Sequence, residues 1–210
     1  MTMGDKQAHW DEVYGAREEA ALTWFEEAPA LSLDLIAEHA TPEDAVIDIG
    51  GGASRLVDGL IAQGYAHVTC LDLSEAALAA SRDRLGEAAG RVTWIAGDVT
   101  DWQPEPGAYA LWHDRAAFHF LTDPAARAAY AARMARALRP GGHAVLMTFA
   151  EDGPERCSGL PVQHYSPASL AAEIDLHAAG AFVPVSAHTH LHRTPKGAEQ
   201  AFQVSVLRRV

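Results

Sequence analysis

A turn of three glycines, Gly50-Gly51-Gly52, and the aspartate that follows it, Asp72, are the residues whose types and spacing point most directly to chemistry. The glycines come after Val46-Ile47-Asp48-Ile49, a short apolar run carrying one acid, and before Ala53-Ser54-Arg55-Leu56, which opens an amphipathic stretch. This reads as strand, tight turn and helix. Glycine at such a junction lets the backbone take positive φ and lets a ligand approach the main chain without meeting a Cβ. Asp72 closes the next apolar run, His67-Val68-Thr69-Cys70-Leu71-Asp72, about twenty residues beyond the turn, the offset at which a carboxylate accepts hydrogen bonds from ribose hydroxyls. A glycine turn alone marks many ordinary connections. Turn and carboxylate together are two separate parts of a nucleotide site.

The elements that must position these groups alternate in type. Trp10, Val13 and Tyr14 share one face of a first helix, and residues 1–28 are expected to form a helical lid that ends near Trp24-Phe25. A second helix begins at Pro29 and stops at Thr41-Pro42-Glu43-Asp44, and the helix after the glycines carries Leu56, Leu60 and Ile61 up to Gly64. Ser74 caps a helix over Glu75 to Leu85. A third strand covers Arg91 to Ala96, a fourth Tyr109 to Asp114, and a long helix opens at Pro124. Leu138-Arg139-Pro140-Gly141-Gly142 breaks that helix ahead of a fifth strand, His143 to Phe149. Ala150 to Tyr165 reads as an irregular loop, Ser166-Pro167 opens a last helix to His177, and Ala181 to Leu191 and Gln200 to Arg208 read as a closing hairpin.

The expected architecture is a single α/β domain over residues 1–210. It is a doubly wound, mostly parallel seven-stranded sheet with helices on both faces and an antiparallel C-terminal hairpin edge. Ligands of such sheets bind beyond the carboxyl ends of the strands, where Gly50, Asp72, Asp98 and Asp114 fall.

Composition narrows the partners. The net charge of −12 opposes a phosphate backbone, so no nucleic acid is expected. No run of about 18 apolar residues exists, so the expectation is a cytoplasmic protein without a membrane partner. Cys70 sits inside an apolar strand and Cys157 in a polar loop, which predicts two reduced thiols rather than a disulfide or zinc site. His188, His190 and His192 alternate along a strand, but without an acidic partner at a matching spacing they read as the polar face of an edge strand, and no metal is expected.

Four local patterns in this order resemble the class I, seven-stranded S-adenosylmethionine-dependent methyltransferases: Asp48-Ile49-Gly50-Gly51-Gly52, Asp72, Gly97-Asp98-Val99 and Leu138-Arg139-Pro140-Gly141-Gly142. The opening His9-Trp10-Asp11 with Tyr14, and the later Trp24-Phe25, are similar to a subgroup that includes protein-lysine methyltransferases. Ser54 departs from the pattern where the family often has a further glycine. The resemblance implies S-adenosyl-L-methionine as cofactor and S-adenosyl-L-homocysteine as product. It implies that Gly50, Gly51 and Gly52 lie against the donor's amino-acid part, with Asp48 orienting the turn or meeting the amine. Asp72 would hold the ribose, Asp98 the adenine amine, Leu73 and Val99 the ring faces, and Trp24 would close over the donor.

Methyl transfer from such a donor needs mainly an in-line nucleophile and exclusion of water, with a base required only where the acceptor arrives protonated. The catalytic candidates, His113, Asp114 and His119, stand at or just after the end of the fourth strand. The candidates for the acceptor are Trp10 and Tyr14 of the lid, Arg115, and Arg156 and Cys157 of the loop 150–165, which is longer than a plain connection needs. The expected acceptor is a small molecule, with a protein lysine as the alternative. The chief rivals are a nicotinamide-dependent Rossmann protein, which would carry a fuller glycine fingerprint than Gly50-x-Gly52 followed by Ser54, and a donor-binding protein without turnover. No sequence feature sets the oligomeric state.

Overall fold

A computed structural model describes residues 3–16 and 19–210. Of the expected lid, residues 1, 2, 17 and 18 lie outside the described residues.

The elements follow one another as α1 (Met3–Gly15), α2 (Ala30–His39), β1 (Ala45–Ile49), α3 (Leu56–Ala62), β2 (His67–Asp72), α4 (Glu75–Leu85), β3 (Val92–Ala96) and β4 (Tyr109–Arg115). Then come α5 (Pro124–Ala137), β5 (Leu138–Phe149), the short β6 (Arg156–Cys157) and β7 (Leu160–Pro161), α6 (Pro167–His177), β8 (Phe182–Arg193) and β9 (Glu199–Arg209). Seven strands form one sheet in the order β3-β2-β1-β4-β5-β9-β8. The first five pair in parallel, and β9 runs antiparallel to both β5 and β8. The chain steps outward from β1 to β3 and then returns to place β4 on the other side of β1. That reversal opens a crevice at the carboxyl ends of β1 and β4, because the connections leaving the two strands diverge.

Local chemistry explains the helix starts. The Ser74 hydroxyl accepts from the Ala77 amide at 3.1 Å and so caps α4. At α6, Ser166 and Ser169 cap each other's backbone amides, and Pro167 occupies the first turn, where its missing N–H is not needed. Alternation along β1 sends Val46 to a core beneath α2 and α3, and Ile47 and Ile49 to a second core beneath α5 and α6. Asp48 and, on β4, His113 therefore point into the α2 side of the sheet, where apolar residues would be ordinary.

Two segments differ from the sequence expectation. β5 begins at Leu138 rather than after Gly142, because Pro140-Gly141-Gly142 is absorbed into an irregular strand whose pairing with β4 shifts register between Tyr109 and Leu111. The loop after β5 is not irregular throughout. Arg156-Cys157 and Leu160-Pro161 form a hairpin, turned by Ser158 and Gly159 with φ of 48° and 78°, the paired positive angles of a tight hairpin turn. Among the described residues, no helix is long and apolar enough to cross a membrane.

Candidate functional site

The glycine turn is built for close approach. Gly52 has φ +44°, and a Cβ placed on it would stand 2.7 Å from Tyr14 Oη and 2.9 Å from Asp72 Oδ2. A Cβ on Gly51 would stand 2.5 Å from Asp48 Oδ2 and 2.6 Å from Cys70 Sγ. A side chain at either position would have to displace these atoms. Ser54, where the family pattern has glycine, accepts from the Leu56 amide at 3.1 Å and helps start α3.

Beside the turn lies a cavity of about 440 Å3, lined by Gly50, Asp72, Leu73, Asp98 and Val99 among others. This is within the range of pockets that hold drug-sized ligands. Asp72 is buried at the end of β2 and accepts from the Ser74 amide at 2.8 Å. Burial raises its carboxyl to about 7 even though that amide favours the charged form, and the nearby Asp48 carboxylate adds to the rise. Asp98 accepts from the Thr100 amide and hydroxyl at 2.8 and 2.7 Å through Oδ1. Two carboxylates in the lining, two apolar side chains beside them and a turn that favours glycine suit the adenosine part of a donor, so these residues fit that donor. Gly50, Asp72 and Asp98, with Leu73 and Val99, would hold it.

Asp48, Gly51 and Gly52 are placed differently. All three are buried and stand behind the lining, where they shape the turn. Asp48 Oδ1 accepts from His113 Nδ1 at 2.7 Å, and His113 Nε2 lies 2.9 Å from Ser32 Oγ on α2. Asp48 Oδ2 is buried without a hydrogen-bond partner, facing the backbone of Gly51.

The three catalytic candidates are absent from the cavity lining. His113 is enclosed between Asp48 and Ser32. The Asp114 carboxylate accepts from the Ala117 amide at 2.9 Å, the Phe118 amide at 3.0 Å and Tyr130 Oη at 2.6 Å, which pins the turn after β4. Burial raises it to about 6 against those hydrogen bonds. His119 is fully buried, its Nδ1 accepts from the Phe149 amide at 3.3 Å, and its Nε2 has no partner. Burial lowers it to about 3.

Four of the five acceptor candidates do come together. Trp10, Tyr14, Arg115 and Cys157 line the cavity, whereas Arg156 is exposed and donates to the Gly159 carbonyl within its own hairpin. Burial raises the Cys157 thiol to about 11. Trp24, expected over the donor, also lines the cavity and meets Trp10 and Tyr14 at ring separations of 6.0 Å. Lys6, Trp10 and Tyr14 all line it, one helical turn apart on α1.

Several site residues escaped the sequence reading. Phe149 and Phe202 line the cavity and are direct partners in the antiparallel pairing of β5 with β9. Phe120 lines it from the turn after β4. Glu26 lies 2.9 Å from Arg115 Nη2 and 3.0 Å from His192 Nδ1, and His192 Nε2 donates to the Thr23 carbonyl at 2.8 Å. With Arg115 Nη1 donating to the Trp24 carbonyl at 2.9 Å, this network fixes the segment that presents Trp24. His192 is therefore a buried clamp residue while His188 is exposed, and among the described residues no group of three or more His, Cys, Asp or Glu could hold a metal ion.

Comparison with known proteins bears on the fold and the family. Residues 46–142 match a methyltransferase domain family. The eEF1A lysine and N-terminal methyltransferase of Danio rerio is 26% identical over 160 residues, covering 75% of this chain and 23% of that protein. The chain thus spans about a quarter of the length of that curated relative. A solved structure from the conversion of a disulfide bond into a thioacetal group during echinomycin biosynthesis superposes with a TM-score of 0.77 at 22% identity, covering 97% of this chain and 92% of that one. The 1,6-didemethyltoxoflavin-N1-methyltransferase of Burkholderia thailandensis, solved with 1,6-didemethyltoxoflavin and S-adenosylhomocysteine bound, gives 0.72 at 23% identity over 100% of this chain and 91% of that one. At these identities the two structures establish the shared fold.

Proposed function

The chain belongs to the class I S-adenosylmethionine-dependent methyltransferases, and from that premise we propose that it moves the donor's methyl group to a nucleophile on a small molecule. One observation carries this reading. A single cavity is lined both by the carboxylates at the ends of β2 and β3, Asp72 and Asp98, and by Phe149 and Phe202 at the paired ends of β5 and β9. A donor and a compact acceptor therefore share one volume.

When bound, S-adenosylmethionine supplies a methyl group already activated on a sulfonium. The chain's part is to bind, orient and exclude water. Asp72 would accept from the ribose hydroxyls and Asp98 from the adenine amine, while Leu73 and Val99 cover the ring. The lid closes one side: Asp11 on α1 accepts from the Ser74 hydroxyl at 2.6 Å, which ties α1 to the start of α4. Trp10, Tyr14 and Trp24 then wall the cavity and shed water from the reacting atoms.

A small acceptor is also supported by the Burkholderia structure, whose bound acceptor is a small molecule and which aligns with 100% of this chain and 91% of its own. The lysine alternative rests on the resemblance of His9-Trp10-Asp11, Tyr14 and Trp24-Phe25 and on a relative of which this chain covers 23%. Calorimetry with S-adenosylmethionine tests the donor assignment. Transfer of a tritiated methyl group to cell extract separated into metabolite and protein pools tests the acceptor, and label confined to protein would refute the small-molecule reading.

A further inference from the structure

The wall of the cavity has a definite chemical character. Six aromatic side chains wall the cavity: Trp10, Tyr14, Trp24, Phe120, Phe149 and Phe202. Trp10 is central, with ring centroids 5.1 Å from Phe120, 6.0 Å from Trp24 and 6.2 Å from Tyr14. Phe149 and Phe202 meet edge to face at 4.9 Å. Such walls suit a flat apolar molecule, and their ring faces attract positive charge.

Among the described residues, the lining groups other than the aspartates are not placed to take a proton. Arg115 is a cation already paired with Glu26. The Cys157 thiol, pushed up to about 11 by burial, stays protonated at neutral pH. Burial beside Asp72 also raises the Tyr14 phenol. The other charged lining residues are Asp72 and Asp98 on the donor side, the exposed Asp123 that caps α5, and Lys6 on α1, a cation. His119 stands behind the wall, its ring edge-on to Phe120 at 4.5 Å and 4.7 Å from Phe149. It is fully buried and held down to about 3, which makes it a weak proton acceptor.

We infer that the acceptor is a flat, largely apolar molecule whose nucleophile is a neutral lone pair bearing no proton, such as a ring nitrogen or a thioether sulfur. This rests on the methyltransferase reading above. In the step itself, the acceptor's lone pair forms the bond to the methyl carbon while the carbon–sulfur bond breaks and its electron pair goes to sulfur. The positive charge passes to the acceptor, no proton is transferred, and the aromatic faces stabilise the charge before and after. A lysine ammonium or a phenol would instead have to lose a proton first, and the walls offer no group to receive it.

The test begins with calorimetry on the intact chain, because a failure to bind S-adenosylmethionine would overturn the methyltransferase reading itself. Bicyclic probes of similar shape then separate the acceptor chemistries: quinoline, 1-naphthol and 1-naphthylmethylamine. At saturating donor, quinoline is expected to take up tritiated methyl at a rate that stays flat from about pH 6.5 to about pH 9, and at least ~100-fold faster at pH 7 than the other two. Independently of turnover, quenching of tryptophan fluorescence in the protein loaded with S-adenosylhomocysteine should show N-methylquinolinium binding at least ~10-fold tighter than the anion 1-naphthoate. Methylation of 1-naphthol or the amine as fast as that of quinoline, no label in quinoline from a protein that binds the donor, or tighter binding of 1-naphthoate would each overturn the inference.

Discussion

Asp48 on β1 and His113 on β4 are adjacent across the parallel pairing of the two strands and share a 2.7 Å hydrogen bond beneath the glycine turn. His113 is held from behind by Ser32, so a buried carboxylate directly under Gly51 is fixed by side chains from β4 and α2. His113→Ala would leave that carboxylate buried without its partner. The expected cost is about 3 kcal/mol of folding stability, measured by denaturant unfolding, together with weaker binding of S-adenosylmethionine. His113→Asn, which can still donate to Asp48, should recover part of both, whereas equal losses in the two variants would contradict a positioning role.

With Asp72 holding the ribose as proposed, its raised carboxyl would make donor binding depend on pH. Its folded value, about 7, lies above the ordinary aspartate value of 3.8, so its ionisation opposes folding. The stability associated with the protonated form is complete below about pH 4 and declines as pH rises through about 7, with an upper limit of about 4 kcal/mol. Ribose hydroxyls donate to the charged form, so donor affinity should rise over that interval. Calorimetry between pH 5.5 and pH 8 checks this. Asp72→Asn should melt higher than the native chain at pH 8 and bind the donor poorly at every pH.

Gly52→Ala places a Cβ within 3 Å of both Tyr14 Oη and Asp72 Oδ2 at φ +44°. Backbone strain of this kind amounts to about 1–3 kcal/mol. A second consequence is expected at the site, where Tyr14 and Asp72 must move. Donor affinity should fall at least ~10-fold, about 1.4 kcal/mol or more. Equilibrium dialysis with labelled donor, read beside a thermal melt, separates the two effects.

The contact between Asp11 and Ser74 tests the lid. Ser74 keeps its cap on α4 through Ala77 without Asp11, so Asp11→Ala should change global stability by only about 1 kcal/mol. Faster amide exchange over α1 and faster release of S-adenosylhomocysteine in stopped flow are expected. Unchanged release would show that α1 does not retain the donor.

Much of the fold was legible from local pattern. The limits of α4 and β2, the caps at Ser74 and Ser166, and the late hairpin all followed from residue spacing, because caps, turns and periodicity involve neighbours in sequence. The residues missed are those whose role depends on distant partners. His113, Asp114 and His119 have the side chains of catalysts and stand near the end of the right strand, yet the pleat and the turn after β4 direct them into the protein. Ser32 and Glu26 carry no local signal, because their partners come from β4 and β8.

The sequence by itself determined the elements proposed above to hold the donor. A glycine turn and the two strand-end aspartates, Asp72 and Asp98, are each fixed by where their own strand stops, and strand ends are written in adjacent residues. Only the tertiary structure decided the aromatic wall of the cavity, proposed above to receive the acceptor. Phe149 meets Phe202 through β5–β9 pairing, Trp24 is held over the cavity by Arg115, Glu26 and His192, and the would-be bases are withdrawn behind an aromatic wall. Those outcomes depend on which elements pack together, a property of the whole folded chain that no single stretch of it encodes.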